Sequence, residues 1–209
     1  MKKLDLRKQF KELYTPPSKQ VVTVDVPKFN FLMIDGVGNP NTSQEYQDAL
    51  NALYGVAYTL KFMHKLKIKP AIDYPVMALE GLWWVEGVEH FTLEQLMERK
   101  DEWHWTMMVM QPDFITRALV KQAIAEVIEK RGDAPSFAKI RLESFREGQS
   151  AQIMHIGPYS AEAPNIERLH KYITESGHKL RGKHHEIYLG DPRRTKPERL
   201  KTVLRQPMK

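Results

Sequence analysis

The sequence predicts an α+β protein built from two similar halves, each a helix laid over an antiparallel sheet. Three observations lead there. Short alternating segments rich in Val, Ile, Phe and Trp are interleaved with a few long amphipathic ones. The order strand, strand, helix, strand, strand occurs once before residue 112 and again after residue 135. Short matches fall at equivalent places: "MIDGVG" with "MHIGPY", "MVMQP" (Met108 to Pro112) with "VLRQP" (Val203 to Pro207), and the strand carrying Glu80 with the strand carrying Glu186. Two such halves pack as a pseudo-dimer. A helix covers one face of each sheet, and the other faces are free to meet around a groove.

Residues 1–20 read as a polar leader. "VVTVDVP" and "FNFLMIDGVG" read as two strands joined by a Pro-Lys turn. A helix follows. Thr42 and Glu45 form its capping box, and Tyr46, Ala49, Leu50, Leu53, Tyr54, Ala57 and Leu60 recur at helical spacing. "DYPVMALEGLWWV" is a strand. "HFTLEQLMERK" is a short helix with Thr92 and Gln95 as capping box and Phe91 and Leu96 as staple. "WHWTMMVMQP" closes the first module, about 21–112. A connecting helix over about 113–132 ends at Gly132. The second module, about 135–209, opens with "FAKIRLESF" and "QSAQIMHIGPY" as a hairpin around Glu147-Gly148. A helix with Pro164 in its first turn and Gly177 beyond its end comes next, then the strands "HHEIYLG" and "LKTVLRQP".

The 209 residues contain enough apolar material, 42%, for a core that needs neither disulfide nor metal. There is no cysteine, which removes thiol nucleophiles and thiolate metal sites and fits a reducing, cytoplasmic setting. The first residues lack the apolar run of a signal peptide, and no segment approaches a membrane span, so a membrane partner is not expected. From His178 to Lys209 ten Lys and Arg face three Asp and Glu, a surplus of seven against a net charge of +6 for the chain. No helix-turn-helix, zinc finger or RNA-binding strand motif accompanies that basic segment, so it reads as a solvated surface and not as a nucleic-acid site. There is no P-loop and no Gly-x-Ser-x-Gly. The Gly-x-Gly of "DGVGNP" is broken as a dinucleotide fingerprint by Asn39-Pro40-Asn41. No cofactor and no metal are expected: His184, Glu186 and His155 have the donor types for zinc but not its spacing.

Two groups of residues could carry chemistry. The four tryptophans lie in two strands, Trp83-Trp84 and Trp103-His104-Trp105. Alternation puts Trp84 with Leu82 and Glu80, and Trp103 with Trp105 and Met107. Paired strands would gather indoles on one surface, a wall suited to planar or cationic ligands; core packing accounts for any one of them taken alone. The second group is Glu186, which shares a strand face with Tyr188 and His184. In an aromatic cavity its carboxylate would be a usable general base or a counter-ion for a cation, and Tyr188 could donate to a developing oxyanion. On a wet sheet face the same pair would have no chemical role.

The stretches "YPVMALEGLWW", "WHWTMMVMQPDFIT" and "KHHEIYLGDPRRTKPERLKTVLRQP" resemble the GyrI-like small-molecule-binding proteins, in particular free-standing members similar to cyclopropanoid cyclopropyl hydrolases. The resemblance runs from about Val21 to Met208 and implies two βαββ modules (SHS2-type) in pseudo-two-fold arrangement with a ligand groove between them. It implies a small lipophilic or cationic aromatic ligand contacted by Glu186. Trp84, Trp103 and Trp105 become cage walls, and Glu80, Met107, His155, Tyr159 and Tyr188 line the cage. Three activities follow as expectations: hydrolysis of cyclopropane-bearing DNA-alkylating compounds, binding or sensing without turnover, and modulation of DNA gyrase. The two modules already supply one interface, so a monomer is expected.

Overall fold

The computed structural model describes residues 1–87 and 99–209. It is an α+β protein whose main sheet is a closed six-stranded antiparallel barrel. The eight strands are β1 (Lys2–Lys3), β2 (Val22–Val37), β3 (Ile72–Asp73), β4 (Leu79–Trp84), β5 (His104–Gln111), β6 (Arg141–Ile156), β7 (His184–Tyr188) and β8 (Lys201–Pro207). Going round, the barrel runs β2-β5-β4-β7-β8-β6, and β1 pairs with β3 apart from it. The helices are α1 (Leu6–Gln9), α2 (Lys11–Tyr14), α3 (Gln44–Phe62), α4 (Arg117–Arg131), α5 (Pro135–Ala138) and α6 (Ala163–Glu175). Among the described residues no helix is long and apolar enough to cross a membrane.

Each pair of strands expected to form a hairpin, before α3 and before α6, is one continuous strand of 16 residues. Pro27 and Gly148 are the reason. They stand at the middle of β2 and β6, where the two strands pair from Val22↔Gln152 to Met33↔Arg141 with the ladder interrupted at Pro27. Proline has no N–H to donate, and Gly148 adopts φ +74°, so both strands bend there without turning back. Each long strand also serves a second neighbour: β2 pairs with β5 through Asn30–Val37, and β6 pairs with β8 through Ser150–Ile156.

Ser43, not Thr42, caps α3: its Oγ accepts the Tyr46 N–H at 3.2 Å. Thr116 caps α4, which ends on Gly132 at φ +88°. Helix α3 packs on the outside of the barrel over β2 and β5. On α6, Ile166, Leu169 and Ile173 pack over Ala151, Ile153 and Leu204 of β6 and β8. The short helix expected over residues 90–100 falls mostly outside the described residues. The N-terminal residues do not behave as a leader: Leu13 and Tyr14 of α2 are buried against the barrel, and Tyr14 donates to Glu80 Oε1 at 3.0 Å.

Inside the barrel lies an ionic cluster. Glu80, Glu147, His185 and Arg205 are each no more than 2% exposed. His185 Nδ1 meets Glu147 at 3.0 Å, while its Nε2 lies 3.0 Å from Glu80 Oε2 but off the line of a hydrogen bond. Arg205 Nη1 meets Glu147 Oε2 at 3.1 Å, its Nε donates to Gln152 and its Nη2 donates to the Leu13 carbonyl. Burial alone would raise the Glu147 carboxyl, but His185 and Arg205 outweigh it and hold it near 2. Burial alone would lower His185, but Glu147 and Glu80 hold it up at about 9.

The signs set a stability window. His185 titrates above its ordinary 6.5, so its contribution is complete below 6.5 and is lost as pH rises through about 9. Glu147 titrates below its ordinary 4.5, so its contribution is complete above 4.5 and is lost as pH falls through about 2. Thermal melts should therefore show the highest Tm between pH 4.5 and 6.5. His185→Gln should lose about 3 kcal/mol or more, because it leaves buried acids uncompensated, and should flatten the alkaline limb.

Candidate functional site

The candidate site lies on the outer face of the sheet, over β4 and β7. These two strands pair antiparallel with Gly81 opposite Glu186 and Trp83 opposite His184. Alternation sends Glu80, Leu82, His185 and Ile187 inward, and sends Gly81, Trp83, His184, Glu186 and Tyr188 outward. Trp83 has room because Gly81 has no side chain: a Cβ there would come within 2.8 Å of the Trp83 indole nitrogen and 3.0 Å of Met107 Cε. Trp105 likewise lies across Gly36, where a Cβ would meet its ring at 2.2 Å.

A directed chain of hydrogen bonds ends on Glu186. Trp83 Nε1–H donates to Tyr188 Oη at 3.0 Å, and Tyr188 O–H donates to Glu186 Oε2 at 2.6 Å. The other carboxylate oxygen lies 3.4 Å from His184 Nε2. Neither nitrogen of the buried His184 has a hydrogen-bond partner. Aromatic rings cluster on the same face. Tyr159 meets Tyr188 edge-on at 5.5 Å, Trp103 packs on Trp83 at 5.4 Å, and Tyr46 of α3 touches both Trp83 and Trp105, at 6.1 and 5.2 Å. Burial first, and the Glu186 charge next, push the Tyr46 and Tyr188 hydroxyls well above their ordinary value. Tyr159 is pushed up to about 12 by burial, then by Glu162 and Glu186. All three therefore remain O–H donors across the physiological range.

Glu162 is the second acid. It holds the N-cap position of α6 but caps nothing, it is 4% exposed, and its Oε1 has no hydrogen-bond partner. Burial and then the charge of Glu186 raise its carboxyl to about 9. Near neutral pH Glu162 therefore keeps its proton. Among the described residues no group of three metal-ligating side chains converges on one point.

The structure sets Glu186, Tyr188 and Tyr159 together and reaches Trp103 through Trp83; Trp105 and Met107 share the outer face but are fully buried in the core. It does not bring in Trp84, Glu80 or His155. Glu80 sits inside the barrel on Tyr14 and His185. Trp84 shares that inner face, near the barrel's far mouth, stacked on His104. Glu80 and Glu186, expected at equivalent places, face opposite sides of the sheet, Glu80 inward and Glu186 outward. His155 is buried and clasped between the Asn165 amide (3.0 Å) and the Pro158 carbonyl (3.2 Å), so it braces the turn that presents Tyr159. Sequence reasoning missed Trp83, Tyr46 and Glu162. Trp83 is one residue from the indole chosen, Tyr46 reads as a core position of an amphipathic helix, and Glu162, a lone acid just before a helix, carries no motif that would single it out.

A GyrI-like small molecule binding domain model matches residues 120–209. Among solved structures, an uncharacterized conserved protein from Listeria innocua is 37% identical, over 99% of this chain and all of that one, with a TM-score of 0.88. The chain belongs to the GyrI-like small-molecule-binding family. A second neighbour, a hydrolase from Listeria innocua, is 35% identical over 99% of this chain and all of that one, with a TM-score of 0.83. The C-terminal domain of EcmrR shares the fold alone, at a TM-score of 0.56 and 9% identity over 91% of this chain and 97% of that one. No curated protein matches. As a GyrI-like domain, the chain binds small molecules.

The close approach of indole to backbone gives a test of this packing. Gly36→Ala should cost about 1–3 kcal/mol in urea denaturation and should shift the emission of Trp105, because the added methyl displaces the ring. Unchanged stability and spectrum would mean that the indole lies elsewhere.

Proposed function

We propose that the groove over β4 and β7 binds lipophilic, aromatic or cationic small molecules, and that it opens the cyclopropane ring of DNA-alkylating compounds by adding water. The observation that carries this reading is the Trp83–Tyr188–Glu186 chain, a carboxylate that accepts from a tyrosine hydroxyl itself held by an indole N–H, beside a cluster of aromatic rings. The hydrolase name of neighbours at 35% and 36% identity supports the reaction class. The rings offer large flat area and electron-rich faces to a planar or cationic ligand.

The residues divide the work as follows. Glu186 accepts a proton from a water molecule poised against the strained ring carbon. The water oxygen bonds to that carbon, the ring C–C bond breaks, and its electron pair passes into the conjugated carbonyl. The carbonyl oxygen gains charge and takes the proton held by Glu162. Solvent then carries a proton from Glu186 and restores Glu162. Tyr188 and Trp83 fix the carboxylate, and the cage supplies positioning, which suffices for a substrate already under ring strain.

Incubation with a cyclopropane-bearing alkylator should yield a product heavier by one water in mass spectrometry. Glu186→Gln should slow turnover by about 100-fold or more while leaving tryptophan quenching by the compound within a few-fold. Undiminished turnover would remove the carboxylate from the chemistry, and quenching with no product in the unsubstituted protein would leave a binding protein. Turnover should also fall as pH rises through about 9, where Glu162 loses its proton. Glu162→Gln should abolish that limb.

A further inference from the structure

On the face of β4, β5 and β7 opposite the groove, an open cavity of about 490 Å³ lies at the mouth of the barrel. We propose that it is a second ligand site, taking a planar aromatic molecule that bears one anionic group. Its volume is within the range of small-molecule sites. The residues that form it are sequence neighbours of the groove residues: Trp84 beside Trp83, His104 between Trp103 and Trp105, Lys183 beside His184. Strand alternation puts the two sites on opposite faces of β4 and β5, with β2, β6 and Lys183, just before β7, completing this one.

The ring surface comes from Trp84, stacked on His104 with centroids 5.5 Å apart and planes 27° from parallel. Lys183 Nζ lies 3.1 Å from the Trp84 ring centroid. The charges decide the sign of the ligand. Asp35 is committed: it accepts from Thr106 Oγ1 at 2.7 Å and pairs with Arg141 at 2.9 and 3.1 Å. Arg141 also binds Glu143 at 2.7 Å, and Lys139 pairs with Glu45 at 2.6 Å. Among the described residues Lys183 alone of these cavity charges has no opposite charge within pairing distance. Its ammonium is partly covered and rests on an aromatic face, a contact worth about 0.5–1 kcal/mol at an exposed position. A ligand ring can take that place on Trp84, while the flexible lysine stem swings aside to pair with the ligand's anion. The groove, with Glu186, favours cations; this cavity favours the opposite sign.

The test is calorimetric titration of the full chain with 2-naphthoate and with its neutral amide, 2-naphthamide. The naphthoate should bind at least about tenfold more tightly than the amide, as expected for one partly desolvated ion pair. Lys183→Gln should erase that preference, Lys183→Arg should keep most of it, and Trp84→Leu should weaken both ligands. The preference should persist in Glu186→Gln. Equal affinity for the two probes, absence of saturable heat up to millimolar concentrations, or a preference that survives Lys183→Gln would overturn the proposal. So would a preference lost in Glu186→Gln, which would put the naphthoate in the groove. Circular dichroism guards against misfolding. If Trp84→Leu does not fold, the two Lys183 variants decide.

Discussion

Inside the barrel a histidine stands between two glutamates, with an arginine closing the far side, and every member is shut away from water. Such a cluster tolerates no slip. Moving β7 by one residue would carry His185 out of reach of Glu147 and Glu80, leaving buried charges without partners. The same move would turn Glu186 inward. The position of the groove acid is thus set by its neighbour in sequence. Fixing His185 on the inner face leaves Glu186 no face but the outer one, where Tyr188 and Trp83 are waiting. Structural and functional residues alternate along five residues of chain.

The two acids of the candidate site sit in unequal surroundings. Glu186 accepts from the Tyr188 hydroxyl and keeps partial access to water, whereas Glu162 is buried with one of its own oxygens unpartnered. Burial and the charge of Glu186 raise the Glu162 carboxyl. The tyrosines around them stay protonated and keep an O–H to donate. A carbonyl compound entering the groove would meet proton donors on several sides and one acceptor.

Much of this was legible in the sequence, and the failures have physical causes. The antiparallel αβ character, the caps at Gly132 and the kinship to GyrI-like proteins follow from patterning and from the strand sequences. The face shared by His184, Glu186 and Tyr188 follows from period-two alternation alone. Pro27 and Gly148 were read as turns because both are usual breakers. In a barrel whose strands must curve sharply they bend the chain and let it continue. Which face of β4 meets the groove could not be read, since Trp83-Trp84 offers an indole to either side; only the pairing with β7 decides it. Glu162 was invisible because its role depends on a strand some twenty residues downstream.

The two long strands have one more implication. Eleven positions of β2 are paired with β6, so each half of the molecule completes the other's sheet. Severing the chain at the connecting helix would expose that whole seam, a row of backbone amides and carbonyls with bent, apolar flanks. The segment that matches the family model, residues 120–209, therefore carries no closed wall of its own. The barrel exists only when both portions are tied into a single fabric.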